Sequence, residues 1–492
     1  MPLNRRDFIA TALAGAAVAA APKLTQAQTK RPNILFILAD DLGYGDLSCY
    51  GRPDYQTPNL DRLAAQGVRF LNAYSAAPLC TPTRCAFITG RYPARTLVGL
   101  EEPLTERRDL GERVKVLGLP AEHPTIASLL KQGGYQTALI GKWHLGYLPN
   151  FGPVQSGFDE FFGIMSGAVD FFTHKDMSGD GDLYEGKVPV ERIGYMTEML
   201  TQRAVKYISD RRNNSTPFYL SLHYTAPHWP WEGPNDEAVS RNLKGGYGGF
   251  TAGGSLKTYA QMMKSMDDGI GEVLRALDRA DLARNTLVIF TSDNGGERFS
   301  YNWPFRGAKF SLWEGGLRVP AIVRLPGIMK SVPGAVATGS QAAGSHSAGS
   351  TIPIGNRQSA IGNPSGRIIR DVAITMDWTA TMLAAAGVKP DPNYPLDGID
   401  LLPIIRNPSP RDSKVETRNL FWRTSLQDAA LQGRWKYVRD GDQEYLFDLS
   451  VDEREQANFR ELDPPMFTKL RDEFKKWEAT VLPRPPARPR RT

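Results

Sequence analysis

Four apolar runs predict buried strands, and charged or polar residues follow each of them. The runs are residues 33–39 before Asp40, 135–141 before Lys142, 217–224 before His228, and 286–292 before Asp293. Continuous apolar runs of this length are typical of strands that are covered on both faces, as in a parallel sheet. We therefore expect these runs to form strands of one mainly parallel sheet.

Helical patterns lie between the predicted strands. Residues 125–132 place Ile126, Leu129 and Leu130 on one face, and residues 256–278 carry apolar side chains at three- and four-residue spacings. Alternating strands and helices predict a doubly wound α/β sheet. Ligands bind beyond the carboxyl ends of the strands in such sheets, so we expect the polar residues after the four runs to share one site.

Both ends of the chain differ from its body. Residues 1–27 place Arg5 and Arg6 before a short apolar run, the layout of a twin-arginine export signal, with an uncleaved N-terminal anchor as the alternative. The run is shorter than the ~20 apolar residues of a membrane span. We therefore expect a periplasmic or secreted bacterial protein without a stable membrane span, exported by the twin-arginine machinery.

The remaining chain divides by composition. We predict a main domain at residues 28–405 that contains a mobile Gly/Ser/Ala-rich insertion at 331–366. Residues 406–483 combine short strand-like runs with an amphipathic helix, which predicts a smaller C-terminal α+β subdomain. Residues 484–492 form a basic, proline-rich tail that cannot be helical.

Composition narrows the class of protein. The 492 residues are 41% hydrophobic and 23% charged, which excludes a disordered chain, a fibrous repeat and a polytopic membrane protein. The excess of positive charge lies in the two end segments, and the nearly neutral body argues against nucleic-acid binding. Cys49, Cys80 and Cys85 form at most one disulfide, so at least one thiol has another role.

Cys80 opens the most informative segment, a Cys-x-Pro-x-Arg motif that ends at Arg84. Pro82 favours a helix start at this position, because proline is preferred in the first turn. A helix N-terminus points amide groups towards an anion. A buried structural thiol and an ordinary cysteine nucleophile are the alternatives for Cys80.

Oxygen-bearing side chains follow two of the predicted strands. They are Asp40 and Asp41 after the first run, and Asp293 and Asn294 after the last. Hard oxygen ligands suit Ca²⁺, or Mg²⁺ with more water retained. The alternative is that these residues only form turns after strands.

The Cys80 motif belongs to a longer series of segments that resembles the type I sulfatases of the alkaline-phosphatase-like superfamily, most of all the arylsulfatase A and B types. The matching segments occur in family order at residues 40–46, 57–61, 80–84, 89–91, 141–146, 227–228, 292–296, 306–309, 313–320 and 397–401. The resemblance implies a large, mainly parallel sheet flanked by helices, with a smaller C-terminal subdomain. It also implies a sulfuric ester hydrolase of the EC 3.1.6 type.

The resemblance further implies that Cys80 is oxidised to Cα-formylglycine by a separate formylglycine-generating enzyme. The hydrated aldehyde then offers one hydroxyl that attacks sulfur and another whose deprotonation expels sulfate. The metal ligands implied are Asp40, Asp41, Asp293, Asn294 and the group derived from Cys80, with Ca²⁺ as the metal and Mg²⁺ as the alternative.

The resemblance implies a different role for each of the charged residues in these motifs. Arg84 is expected to hold the diol, and Lys142 and Lys309 to bind the sulfate and the leaving oxygen, where negative charge grows. His144 resembles the family's base for breakdown of the sulfated intermediate. His228 resembles the residue that contacts sulfate and assists the leaving alcohol as a general acid.

The substrate is expected to be a sulfated carbohydrate. Ser166 resembles a sulfate-contacting serine of the arylsulfatases, and several aromatic side chains either stack on a sugar or pack in the core. These aromatic residues are Phe171, Phe172, Trp229, Trp231 and Trp303. Two alternatives stay open: a formylglycine-dependent phosphonate or phosphate monoester hydrolase, and a catalytically silent protein that binds sulfated glycans. His123, His174 and His223 are interpreted as structural.

Overall fold

The computed structural model describes residues 31–325, 366–407 and 418–485. The predicted export signal at 1–27, nearly all of the predicted insertion at 331–366 and most of the tail at 484–492 lie outside the described residues. None of the described helices is both long enough and apolar enough to cross a membrane.

A ten-stranded sheet forms the centre of the described chain, with the order β11-β2-β10-β9-β1-β8-β4-β5-β6-β7. These strands are β1 (Asn33–Ala39), β2 (Val68–Phe70), β4 (Gln136–Lys142), β5 (Glu160–Ile164), β6 (Leu183–Glu185), β7 (Val188–Pro189), β8 (Phe218–His223), β9 (Thr286–Ser292), β10 (Ala321–Arg324) and β11 (Arg367–Ile369). A separate pair joins β3 (Ala73–Tyr74) to β12 (Ala373–Ile374) in parallel.

The four predicted strands are neighbours in the middle of this sheet. Strand β1 pairs in parallel with β8 and β9, and β4 pairs in parallel with β8 and β5. The carboxyl ends of β1, β8, β9 and β4 therefore meet at one edge, where Ala39 pairs with Ser292 and Gly141 with His223. The prediction of one mainly parallel sheet is confirmed, and the antiparallel strands β10, β6 and β7 make it mixed.

Helices cover both faces of the sheet. They are α1 (Pro58–Ala65), α2 (Cys80–Thr89), α3 (Arg107–Leu110), α4 (Ile126–Gln132), α5 (Met196–Ser209), α6 (Glu237–Ser240), α7 (Gly246–Phe250), α8 (Leu256–Arg279), α9 (Glu314–Leu317), α10 (Thr375–Ala386) and α11 (Leu402–Arg406). Alternate residues of β1 point to opposite cores: Leu35 and Ile37 pack with α1, α5 and α8, whereas Phe36 and Leu38 pack with α2, α4 and α10. Continuous apolar strands result from burial on both faces.

A smaller antiparallel sheet follows in the chain, with the order β13-β14-β15-β16 and helix α12 packed on it. Its elements are β13 (Asn419–Arg423), β14 (Gln427–Gln432), β15 (Trp435–Asp440), β16 (Gln443–Asp448) and α12 (Pro464–Glu478). Trp422 packs beside Tyr74 and donates its indole N–H to the Ser75 carbonyl at 2.8 Å. Lys436 reaches Glu314 and Glu455 at 2.8 Å, with all three side chains fully buried. The sheet-and-helix unit is thus anchored to residues of the main domain.

Candidate active site

Backbone geometry after β1 and β9 brings the predicted oxygen ligands together. The Asp41 amide donates to Asp293 Oδ1 at 3.1 Å, and Asn294 Nδ2 donates to Asp41 Oδ1 at 2.7 Å. Asp41 has a φ of 61°, in the left-handed region that Asp and Asn adopt more readily than most residues. The two parallel strand ends therefore hold four polar side chains in one buried cluster.

Each of the three carboxylates faces a buried cation. Lys142 Nζ lies 2.6 Å from Asp40 Oδ2, and Lys309 Nζ lies 2.7 Å from Asp41 Oδ2. Arg84 donates to Asp293 Oδ2 through both Nε at 3.1 Å and Nη2 at 2.9 Å. Charges this deeply buried are stable only when they are paired and hydrogen-bonded.

Cys80 begins helix α2, as its place before Pro82 predicts, and its side chain is buried. Its sulfur, one carboxylate oxygen of each of Asp40 and Asp41, and a ring nitrogen of His228 all lie within 4.8 Å of one another. Burial raises the pKa of the Cys80 thiol to about 12, although Lys142 and Lys309 act in the opposite direction. The thiol is therefore protonated at neutral pH.

Unused oxygens in the cluster fit a hard cation. Asp40 Oδ1 and Asn294 Oδ1 are buried and have no hydrogen-bond partner among the described residues. Asp40 Oδ1 lies 3.5 Å from Arg84 Nη2. Burial and the nearby Asp40 carboxylate raise the pKa of Asp293 to about 6, although the Arg84 charge acts in the opposite direction. Carboxylate and amide oxygens are the ligands that Ca²⁺ prefers, so the donor set fits this ion.

His228 and His144 are both buried, and both are neutral. His228 Nδ1 donates to the Trp229 carbonyl at 2.6 Å, which leaves Nε2 to accept from Lys309 Nζ at 3.1 Å. Burial lowers the pKa of His228 well below its usual value, and the Lys309 charge adds to this effect. Burial likewise lowers the pKa of His144, followed by the Lys142 charge.

His144 lies in the left-handed region, with a φ of 58°. A Cβ at Gly167 would come within 2.7 Å of its Cε1 atom, so a glycine allows the ring to pack there. Ser166 precedes this glycine; its hydroxyl donates to the Ala168 carbonyl at 3.1 Å and its amide donates to Asp182 at 2.8 Å. The contacts of Ser166 thus belong to its own loop and to Asp182.

His223, which the sequence analysis interprets as structural, lies beside the site and hydrogen-bonds to the backbone of Lys142. Its Nδ1 donates to the Lys142 carbonyl at 3.0 Å, and Ser221 lies 2.8 Å from its Nε2. Arg84 Nη1 donates to the same Lys142 carbonyl at 3.1 Å. The sequence places His223 at the end of a predicted strand, but only the strand order shows that this strand runs beside the one that ends at Lys142.

The aromatic residues considered for stacking on a sugar differ in their exposure to solvent. Phe171, Trp229 and Trp231 are buried, and the Trp229 ring packs 4.1 Å from the His228 ring. Trp303 is 53% exposed, and the Arg454 guanidinium lies 3.8 Å above its ring. Only Trp303 among these residues therefore offers a large exposed ring, whereas Phe172 is half-buried against Tyr195.

The fold is that of an α/β protein, and the charged cluster at the carboxyl edge of its sheet has the buried cations that suit an anionic ligand. A family model described as Sulfatase matches residues 32–388. The N-acetylgalactosamine-6-sulfatase of Mus musculus is 32% identical over 424 residues, covering 82% of this chain and 71% of that protein. The steryl-sulfatase of Mus musculus is 31% identical over 496 residues, covering 82% and 69%. This chain belongs to the sulfatase family and is a sulfuric ester hydrolase.

Comparison of structures agrees with this assignment. The crystal structure of Ps i-CgsB in complex with k-i-k-neocarrahexaose has a TM-score of 0.73 and 29% identity, covering 91% of this chain and 92% of that one. The expected alkaline-phosphatase-like fold, with its mainly parallel sheet and smaller C-terminal unit, is confirmed.

Proposed function

We propose that this sulfatase hydrolyses sulfate monoesters of a carbohydrate, using a formylglycine made from Cys80 and a resident Ca²⁺ ion. The observation that carries the proposal is the convergence of paired carboxylates and cations on Cys80 at the start of α2. The roles of the individual residues below are part of the proposal.

The protonation state of Cys80 supports a converted nucleophile. A thiol with a pKa of about 12 is almost entirely protonated at neutral pH, and the thiolate is the nucleophilic form of cysteine. An ordinary cysteine nucleophile is therefore disfavoured. Conversion of the CH₂SH group to a hydrated aldehyde supplies one hydroxyl to attack sulfur and another whose deprotonation expels sulfate.

Asp40, Asp41, Asp293 and Asn294 would hold the calcium ion, which supplies positive charge beside the nucleophilic hydroxyl and the sulfate oxygens. Arg84 keeps this geometry by binding Asp293 through two nitrogens, a planar arrangement that a lysine does not reproduce. Lys142 and Lys309 present ammonium groups where charge develops on the sulfate and on the leaving oxygen.

Proton transfer requires one donor and one acceptor. Lys309 and His228 form a pair with one hydrogen between Nζ and Nε2 at 3.1 Å, and we assign delivery of a proton to the leaving alcohol to this pair. His144 Nδ1 is buried without a hydrogen-bond partner among the described residues, so its lone pair can accept the proton of the second hydroxyl. His144 would thus take up the proton whose loss from the formylglycine hydrate releases sulfate.

A sugar substrate is supported by the exposed Trp303 ring and by the names of two relatives, one an N-acetylgalactosamine-6-sulfatase and one bound to k-i-k-neocarrahexaose. Trp303 and Arg454 together present an apolar ring and a positive charge, which suit a sugar with further anionic groups. Export by the twin-arginine route to the periplasm, after or alongside maturation by a formylglycine-generating enzyme, completes the proposal.

The test starts with protein co-expressed with a formylglycine-generating enzyme. The mass of the peptide that contains residue 80 is expected to change by replacement of CH₂SH with CHO, and Cys80→Ala serves as the inactive control. The converted protein is then assayed on sulfated sugars, an aryl sulfate and the matching aryl phosphate. Faster phosphate than sulfate hydrolysis would favour the phosphate-ester alternative, and glycan binding without turnover by converted protein would overturn the catalytic proposal.

A further inference from the structure

Two hydrogen bonds connect the nucleophile motif to the ring of His144 through the backbone of one residue, Leu104. The Leu104 amide donates to Thr81 Oγ1 at 3.0 Å, and the Leu104 carbonyl accepts from His144 Nε2 at 2.8 Å. All three residues are nearly or fully buried. Thr81 lies next to the nucleophile position and His144 lies two residues beyond the end of β4, so the connection spans two distant parts of the chain.

The direction of the second hydrogen bond fixes the tautomer of the ring. A carbonyl oxygen only accepts, so Nε2 carries the hydrogen and Nδ1 carries the lone pair in the neutral imidazole. Nδ1 is the atom without a hydrogen-bond partner among the described residues. The Leu104 carbonyl therefore determines which nitrogen can act as a base.

Leu104 lies between α2 and α3 in a segment without a sheet strand, and its side chain is buried in the core. Hydrogen bonds from other parts of the chain hold the backbone around it. Thr81 holds the amide of Leu104, and Tyr147 donates its hydroxyl to the Thr105 carbonyl at 3.1 Å. The preceding residue, Pro103, has no N–H to add a further contact. Loss of the Thr81 hydroxyl would leave the buried Leu104 amide unsatisfied and release one of these two attachments.

We propose that Thr81 is a positioning residue of the reaction, which sets the tautomer and orientation of His144 through the Leu104 backbone. The inference deepens the proposed function, since it relies on His144 as the base that accepts a proton at Nδ1. It gives the first variable position of the Cys-x-Pro-x-Arg motif a task separate from the formation of the nucleophile.

The experiment compares wild type with Thr81→Val, which keeps the shape but removes the hydroxyl, and Thr81→Ser, which keeps the hydroxyl. The ¹⁵N resonances of protein labelled at its six histidines report each tautomer, and His144→Gln assigns the signals. We expect Nε2–H at His144 in wild type and Thr81→Ser, and a shifted or mixed tautomer in Thr81→Val. The formylglycine content of each variant is measured by mass, because Thr81 lies in the maturation motif.

Turnover provides the second readout. We expect Thr81→Val to lower kcat per converted enzyme by about 10- to 100-fold with little change in KM, the range found when outer groups that orient metal-bound histidines are lost, and Thr81→Ser to restore it. An Nδ1–H tautomer in wild type overturns the inference even if Thr81→Val fails to fold. Unchanged tautomer and unchanged kcat in Thr81→Val also overturn it. If wild type has Nε2–H but hydrolyses no sulfate ester, the proposed function fails while the tautomer control stands.

Discussion

Replacement of Asp41 by asparagine in metal-free protein tests the electrostatic balance of the site directly. Asp41 Oδ2 pairs with Lys309 Nζ at 2.7 Å, and the two side chains are 3% and 2% exposed. Asparagine has nearly the same shape, tolerates the φ of 61°, and can still accept the hydrogen bond from Asn294 through its amide oxygen. The substitution therefore removes a charge with little change in backbone or packing.

The expected loss in the free energy of unfolding follows from the burial of Lys309, the partner of Asp41. Removing one member of a buried ion pair leaves an uncompensated charge and costs about 3–5 kcal/mol. Burial acts to raise the pKa of Asp41, but the nearby positive charge, chiefly that of Lys309, outweighs it, so the pKa falls below its usual 3.8. The carboxylate thus stabilises the fold above pH 3.8 and loses this contribution as the pH falls through the lower folded value. At pH 7 the wild-type carboxylate is ionised, so we expect Asp41→Asn to show its full cost in the free energy of unfolding at this pH.

Urea unfolding in the presence of EDTA measures the effect. Asp41→Asn and Lys309→Met are each expected to lower the free energy of unfolding by about 3–5 kcal/mol, since each leaves the other charge alone. The double variant is expected to cost less than the sum by at least about 1.5 kcal/mol. Asp268→Asn provides the control, because its pair with Lys264 is exposed and is worth about 0–1 kcal/mol.

Additive costs in the double-mutant cycle would refute the pairing. The same four proteins with calcium test the metal assignment separately. Calcium is expected to stabilise wild type by RT ln(1 + [Ca²⁺]/Kd), about 2.7 kcal/mol at 100 times Kd, and to stabilise Asp41→Asn less. Equal stabilisation of both proteins would remove Asp41 from the ligand set without affecting the ion-pair result.

Three further predictions concern stability and substrate binding. Burial and Asp176 raise the pKa of Glu106 from 4.5 to about 9. Above pH 4.5 the folded carboxyl keeps a proton that the unfolded chain releases, so the free energy of unfolding falls by up to about 1.4 kcal/mol for each unit by which the pH rises. Glu106→Gln is expected to reduce this fall between about pH 6 and 8 in urea titrations. Lys436→Met leaves the buried Glu455 without its cation, whereas Glu314 keeps Arg318, and urea unfolding is expected to show a loss of about 3–5 kcal/mol in the free energy of unfolding, unlike a change at an exposed lysine. Trp303→Ala is expected to raise KM for a sulfated sugar about 2- to 10-fold with kcat nearly unchanged; an unchanged KM would remove this ring from substrate binding.

Local patterns predicted the central part of the fold. The apolar run at 33–39 coincides with β1 and the run at 286–292 with β9, whereas β4 begins one residue later than its run and β8 is one residue shorter at each end. These strands are long and buried on both faces, so their signal is strong. The edge strands are two to five residues long, and their pairing depends on contacts between distant segments that no local pattern contains.

Candidate side chains were recognisable by type, but their partners were not. The motifs identified Cys80 and the lysines, whereas the pairing of Lys142 with Asp40 and of Lys309 with Asp41 depends on strand order. Contacts made by backbone atoms, such as the hydrogen bond from His144 to the Leu104 carbonyl, cannot be predicted from residue types. The residue types indicate the chemistry, and the topology determines which groups meet.

Charge balance gives a reason why such a site suits an anionic ester. The three buried carboxylates at positions 40, 41 and 293 face three cations at 84, 142 and 309, so the cluster is neutral without a metal. With a bound calcium ion, the pocket holds two uncompensated positive charges, which are costly in a buried site. A neutral ester leaves both charges unbalanced, whereas a sulfate monoester balances one. Under the proposed calcium-dependent mechanism, the second positive charge would be available for the negative charge that develops on the leaving oxygen, so stabilisation would be greater in the transition state than with bound substrate.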